Sequence, residues 1–288
     1  MQKIILPLIT QYESPKRKAI SSRYPLLLKP AVFVKRSVRK FKNQITLSRL
    51  KKGTYLSHVI ARHSSPLMRK LGDSDMRLQR NKITNLRIAI QKLDGIVIPP
   101  GKTFSLWHAV GSVTKRKGYV NGMLLSNGRV AEGLGGGLCQ LSNFLFWILL
   151  HADTEVIERH HHSKDVFPDS GRTLPFGSGA TIFSNYLDLK IKNTSQNPLQ
   201  IKLWLTKEYL KGQILSDNPS QYKFHIAERN HCFIKTKSKY FRYNEIYREK
   251  YIEGTKISEE KIVSNFAPVL YSINEDDVRN KNQKLILI

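Results

Sequence analysis

Glu132-Gly133-Leu134-Gly135-Gly136-Gly137-Leu138-Cys139-Gln140-Leu141-Ser142-Asn143-Phe144-Leu145-Phe146-Trp147-Ile148-Leu149-Leu150 sets a glycine run against an almost wholly apolar segment. Three consecutive glycines let the backbone turn tightly and come close to another group. No proline follows Cys139 before His151, and the residues between are good helix formers. The stretch therefore predicts a buried helix, apolar nearly all the way round. Cys139 falls at the start of that helix, where free N–H groups and the positive end of the dipole gather. A thiol there is expected to have a lowered pKa and to be partly thiolate near neutral pH. The same residue also fits an inert, buried small hydrophobe. The stretch alone leaves both readings open.

Upstream, Ile83, Leu86, Ile90 and Leu93 recur at helical spacing, predicting a helix over Asn81–Asp94 that stops at Gly95. A short strand, Ile96–Ile98, and a Pro99-Pro100-Gly101 turn follow. Residues 111–131 alternate apolar pairs with Gly and Asn-Gly turn signals, as strands and loops framing the glycine run. Downstream, Thr154–Ser163 reads as a strand with Val156, Glu158, His160 and His162 on one face. Further strands are expected at Ala180–Phe183, Leu187–Lys192 and Leu199–Leu205. The last two alternate apolar with polar across a short polar turn, which predicts an antiparallel hairpin. Tyr222–Ile226, Cys232–Ile234 and Lys237–Tyr247 suggest more strands. The fold class is α+β, with N-terminal helices and a central buried helix packed on a mainly antiparallel sheet. Three regions are expected: a basic N-terminal arm over 1–80, a core over 81–206 and a β-rich extension over 207–288.

Residues 1–80 hold 19 Lys or Arg against Glu13, Asp73 and Asp75, so they carry +16 of the net +26. Such asymmetry points to an anionic partner. Residues 1–30 read as irregular, with four prolines as breakers, and residues 53–78 as loop with a short helix. Between them Val34, Val38, Phe41 and Ile45 form an apolar seam among Lys35, Arg36, Arg39, Lys40 and Lys42. Residues 30–52 could thus touch an anionic membrane surface, or the helix could pack on the domain with its charges solvated. No aromatic interleaving or nucleic-acid motif accompanies the charge, so no nucleic acid is expected. The short apolar run Ile4–Ile9 contains Pro7 and lacks a cleavage site, so a cytoplasmic location is expected, against the inner membrane face. Only Cys139 and Cys232 are present, which excludes a disulfide framework.

A cysteine nucleophile needs a base and often a third group that orients the base. Cys139 on a helix, histidines on the next strand and Asp188 on a later strand follow the order seen in papain-like enzymes, by analogy only. His160 and His162 could share an ion, with Cys139, His151 or Asp188 as further donors. Neither CxxC nor HExxH occurs, so no metal is assigned and no cofactor is implied.

Pro100-Gly101-Lys102-Thr103-Phe104-Ser105, Gly118-Tyr119, Gly135–Ser142, Glu158–Ser163 and Asp188–Asn193 resemble the VanW family in order and spacing, with Asn85 and Leu86 fitting its approach segment. The resemblance spans about Asn81 to Trp204. It implies a role in cell-envelope metabolism or glycopeptide resistance, on a peptide-like or anionic envelope precursor. Exported relatives link the domain to peptidoglycan cross-linking through the conserved-position cysteine. Carried over residue by residue, Cys139 would be the nucleophile and His162 the base; Asp188 would be the third group only by the papain-like analogy. Gly135, Gly136, Gly137, Gln140, Arg159 and His160 would line the substrate pocket, the glycines shaping an oxyanion site. The alternative is a non-enzymatic module that binds the precursor or the membrane face.

Overall fold

In a computed structural model, the structure describes residues 2–14, 26, 28–68, 76–126, 129–161, 163–166, 168–169, 173–184, 186–280 and 283–288. The chain is α+β, with mostly antiparallel sheets. The predicted central helix is α5 (Leu138–Leu149), preceded by α1 (Gln2–Glu13), α2 (Leu28–Thr46), α3 (Met76–Leu93) and the short α4 (Leu106–Val110). Leu141, Phe144, Leu145, Phe146, Ile148 and Leu149 are all buried, as an apolar helix requires. Helix α5 lies across a sheet of order β1-β9-β8-β2, made of His58–Pro66, Tyr209–Ser216, Leu199–Leu205 and Val97–Ile98.

A three-stranded sheet sets β7 (Lys190–Asn193) between β3 (Thr103–Ser105) and β6 (Thr154–Glu158). The hairpin β4 (Asn121–Ser126) and β5 (Arg129–Leu134) delivers the chain to the glycine run. Long strands β10 (Lys223–Lys235), β11 (Tyr240–Ile252) and β12 (Thr255–Pro268) form a second four-stranded sheet with β13 (Lys284–Leu287). Helix α6 (Glu275–Asn280) precedes β13, which pairs parallel with β10. This sheet is tied to the core by buried polar groups. Arg248 donates to the carbonyls of Ala152 and Thr154, and Asn244 donates to that of Phe176.

Several expectations change. Residues 2–13 are helical despite Pro7, because Ile5 and Ile9 bury against Cys232, Ile234, Phe241 and Ile286 of the second sheet. That burial outweighs the lost backbone bond. Residues 58–66 form a strand, not a loop, pairing antiparallel with β9. Ala180–Phe183 is not a strand; only an isolated bridge joins Phe183 to Leu187. The hairpin expected between Leu187–Lys192 and Leu199–Leu205 does not form. Strand β7 pairs with β3 and β6, while β8 pairs with β9 and β2. The buried Asn193 amide causes the divergence: it donates to the carbonyls of Ile98 and Asn197, turning the chain from one sheet into the other. The β8–β9 turn spans residues 206–208, so the sheet of the expected 81–206 core continues to Ser216. No described helix is long and apolar enough to cross a membrane.

Candidate functional site

The glycine run is built for close approach. A side chain at Gly136 would lie 2.1 Å from the carbonyl carbon of Gly122, and one at Gly137 would lie 2.1 Å from Cγ of Lys82. Gly137, in left-handed conformation at φ 95°, caps α5, and the stem of Lys82 packs over it. Asn85, one turn along α3 from Lys82, also fixes the run. Its amide donates to the carbonyls of Gly136 and Val120 and accepts from the Val120 N–H. Gly135, also at positive φ, donates to the Val120 carbonyl.

Along α5, Cys139, Gln140, Asn143 and Trp147 are half-buried while their neighbours are buried. This spacing marks one narrow face. Three of the four, with Phe144, line a cleft of about 360 Å³. Its other walls include His63 from β1, Lys82 from α3, Arg159 and His161 after β6, the segment 174–179, and Asn265 of β12. The 174–179 wall is clamped from several directions. Arg159 donates to the carbonyls of Gly177 and Gly179, Ser178 donates to that of Pro175, and Asn265 and Asn244 both donate to that of Phe176. Arg159 also lies over the Phe146 ring at 5.3 Å. Burial lowers the Arg159 pKa to about 10, which leaves it cationic at neutral pH. It holds the wall of the cleft.

Cys139 is the second residue of α5, and its thiol donates to the Ile182 carbonyl at 3.7 Å. Burial pushes the thiol pKa up, so the thiolate expected from the helix start is not favoured. His161, in the same cleft, is shifted the other way. Burial, then the charge of Arg159, holds its pKa below the ordinary value, leaving a neutral imidazole at pH 7. Both residues thus line one cleft, with the thiol shifted towards its protonated form and the imidazole towards its neutral one. His162 lies outside the described residues.

The remaining predicted residues divide between the cleft and the surrounding structure. Gln140 lines the cleft, but its amide donates to Ser65 and the Pro66 carbonyl, stitching α5 to β1. His160 bonds Glu158 at 2.9 Å and is not part of the cleft lining. Asp188 is buried away from the cleft. It accepts from the Ser105 hydroxyl at 2.6 Å and from the N–H groups of Trp107 and Leu189. Together with Ser105, whose hydroxyl accepts from His108 N–H, it organises the start of α4. His151 bonds the Trp147 carbonyl at the far end of α5. The donors considered for a metal are thus dispersed, and no group of three or more His, Cys, Asp or Glu among the described residues could hold an ion.

The sequence reading missed Asn143, His161, Lys82 and His63. Asn143 carried a signal, four residues after Cys139 on the same helix face. His161 was hidden because β6 ends at Glu158 after a bulge, which breaks the alternation used to choose between the histidines.

The chain is thus an α+β domain whose central helix starts at a glycine run and brings Cys139 to the lining of a cleft. The chain belongs to the VanW family, described as VanW like protein, which matches residues 81–215. It is 33% identical over 212 residues to the vancomycin B-type resistance protein VanW of Enterococcus faecalis (strain ATCC 700802 / V583), covering 73% of this chain and 77% of that one. It is also 29% identical over 123 residues to the uncharacterized protein YoaR of Bacillus subtilis (strain 168), covering 43% of this chain and 39% of that one. No solved structure matches the chain.

Proposed function

We propose that the Cys139 cleft takes a peptide-like cell-envelope precursor and that Cys139 carries out acyl transfer or hydrolysis on it. The observation that carries this reading is that Cys139, at the start of α5, and His161 line one cleft; the thiol pKa is raised and the imidazole pKa lowered, so proton transfer between them has the right starting states. The walls suit a short peptide. The lining mixes apolar side chains such as Leu174 and Val166 with polar and cationic ones, among them Asn143 and Arg159. Similarity to a vancomycin resistance protein supports an envelope substrate.

The chemistry follows from the protonation states. His161 takes the proton of the Cys139 thiol as sulfur attacks the substrate carbonyl carbon. The backbone N–H of Cys139, in the first turn of α5, stabilises the oxyanion, while those of Leu138 and Gln140 donate to the carbonyls of Gly135 and Gly137. Collapse breaks the C–N bond, and the amine leaves with the proton held by His161. Water or a second amine then cleaves the thioester and regenerates the thiol.

The test is mass spectrometry of the full chain incubated with synthetic envelope stem peptides. An acyl adduct on Cys139 is expected, absent in Cys139→Ser and strongly reduced in His161→Gln. Peptide binding with no adduct on the wild type would overturn the chemistry. The raised thiol pKa favours a second reading, in which the same cleft binds the peptide without reacting. In that case Cys139→Ser binds as the wild type does.

A further inference from the structure

Helix α2 meets the domain through its polar side. Arg39 bonds the Glu158 carboxylate and the Tyr186 carbonyl, and Lys190 donates to Asn43, which is 4% exposed, at 2.8 Å. Arg36 stacks over the Phe183 ring at 5.4 Å. The apolar seam points the other way. Val34, Val38, Phe41 and Ile45 are 57%, 62%, 65% and 69% exposed, and Phe33 beside them is 70% exposed. Residues at i, i+4, i+7 and i+11 share one helix face, so these side chains form a continuous stripe along three turns. Among the described residues, none covers it. Contiguous exposed apolar surface of this kind marks an interaction site.

Charge identifies the occupant. Leu28–Thr46 contains no acidic residue, and exposed Lys35, Lys40 and Lys42 flank the stripe. Beyond the helix, Arg49, Lys51 and Lys52 join Lys92 and His108 around a cleft of about 540 Å³. A second copy would set one all-cationic helix against another, which repulsion opposes. An anionic bilayer accepts both features, the apolar side chains at the acyl boundary and the ammonium groups among the headgroups. We propose that α2 seats the protein on an anionic membrane surface through Val34, Val38, Phe41 and Ile45.

The experiment is vesicle co-sedimentation of the full chain. Phosphatidylcholine vesicles with about 30% phosphatidylglycerol are compared with phosphatidylcholine alone. The wild type is expected to bind only the anionic vesicles, and less at high salt. Val38→Glu with Phe41→Glu should weaken binding about tenfold or more, without lowering the melting temperature, because both side chains face water. Cys139→Ser should bind as the wild type does, which separates this surface from the thiol chemistry. Equal binding to both vesicle types, or undiminished binding by the double variant, would overturn the proposal. So would a wild-type dimer that the double variant dissolves while neither protein binds vesicles.

Discussion

Asp188→Ala separates a structural carboxylate from a catalytic one. In the structure Asp188 accepts three hydrogen bonds, from Ser105 at 2.6 Å, Leu189 N–H at 2.9 Å and Trp107 N–H at 3.1 Å. Truncation leaves those buried donors without an acceptor, at roughly 1–3 kcal/mol each. Part of that loss is returned, because the chain no longer buries a carboxylate. The net cost is about 3 kcal/mol, which for a chain of this size lowers the melting temperature by roughly 6–12 °C. Circular dichroism at neutral pH reads the global loss. Fluorescence of Trp107, whose indole donates to the Leu187 carbonyl, reads the site itself. Asp188→Asn keeps one acceptor and should fall between. The pH dependence has a definite sign. Burial raises the Asp188 pKa, so folding takes up a proton in the carboxylate range. The wild type should therefore gain stability over Asp188→Asn as pH falls through that raised pKa. A melting temperature unchanged in Asp188→Ala, with loss of the Cys139 adduct, would refute this reasoning and return Asp188 to the reaction.

Gly136→Ala should destabilise by about 1–3 kcal/mol or more, because backbone of Gly122 must move, not a flexible side chain. Gly101→Ala is the control, with positive φ but nothing within 4 Å, and should cost only about 1–2 kcal/mol in thermal melts. Iodoacetamide labelling of Cys139 against pH should show a midpoint above that of free cysteine, since burial raises the thiol; a midpoint below neutrality would contradict it. Glu158→Gln tests the opposite sign from Asp188. Burial raises the Glu158 pKa, but His160, Arg39 and the Asp188 N–H outweigh it and hold the carboxylate below its ordinary range. Its stabilisation is present above the ordinary carboxylate pKa and lost as pH falls through the depressed one, so melting curves of the two proteins should converge on acidification.

Local signals were legible where composition alone decides the outcome. Helix α5 is apolar on nearly every side, and no partner is needed to predict it. Helix α3 shows its face in Leu86, Ile90 and Leu93, and it extends five residues before the expected start because fraying ends leave little pattern. Pairing was not legible. Strands β7 and β8 look like a hairpin, yet each finds a distant partner, and a single buried Asn193 diverts the chain between them. Alternation reports that a strand has two faces; it does not report which neighbour supplies the hydrogen bonds. The strand β1 was missed for the same reason, since its half-buried residues gain their regularity from β9.

The candidate site divides along a similar line. Gly135–Gly137 were read as a flexible turn shaping an oxyanion site. The structure gives all three a steric necessity first, against Val113, Gly122 and Lys82 in turn, and the turn follows from that packing. Cys139 was placed correctly at a helix start, but its thiol is governed by two opposed effects. The helix terminus favours thiolate, and burial favours thiol. Sequence displays the first, because the glycines and the helix are contiguous. It hides the second, because the wall formed by Ile182 and residues 174–179 arrives from elsewhere in the chain. Burial prevails, and this changes what the site needs. A thiolate could attack unaided, whereas a buried thiol needs a proton acceptor that is itself uncharged. In the proposed reaction that acceptor is His161, whose pKa lies below the ordinary value. Arg159 acts on the His161 imidazole from within the same cleft that Cys139 lines, so adding charge to the cleft should shift both groups together.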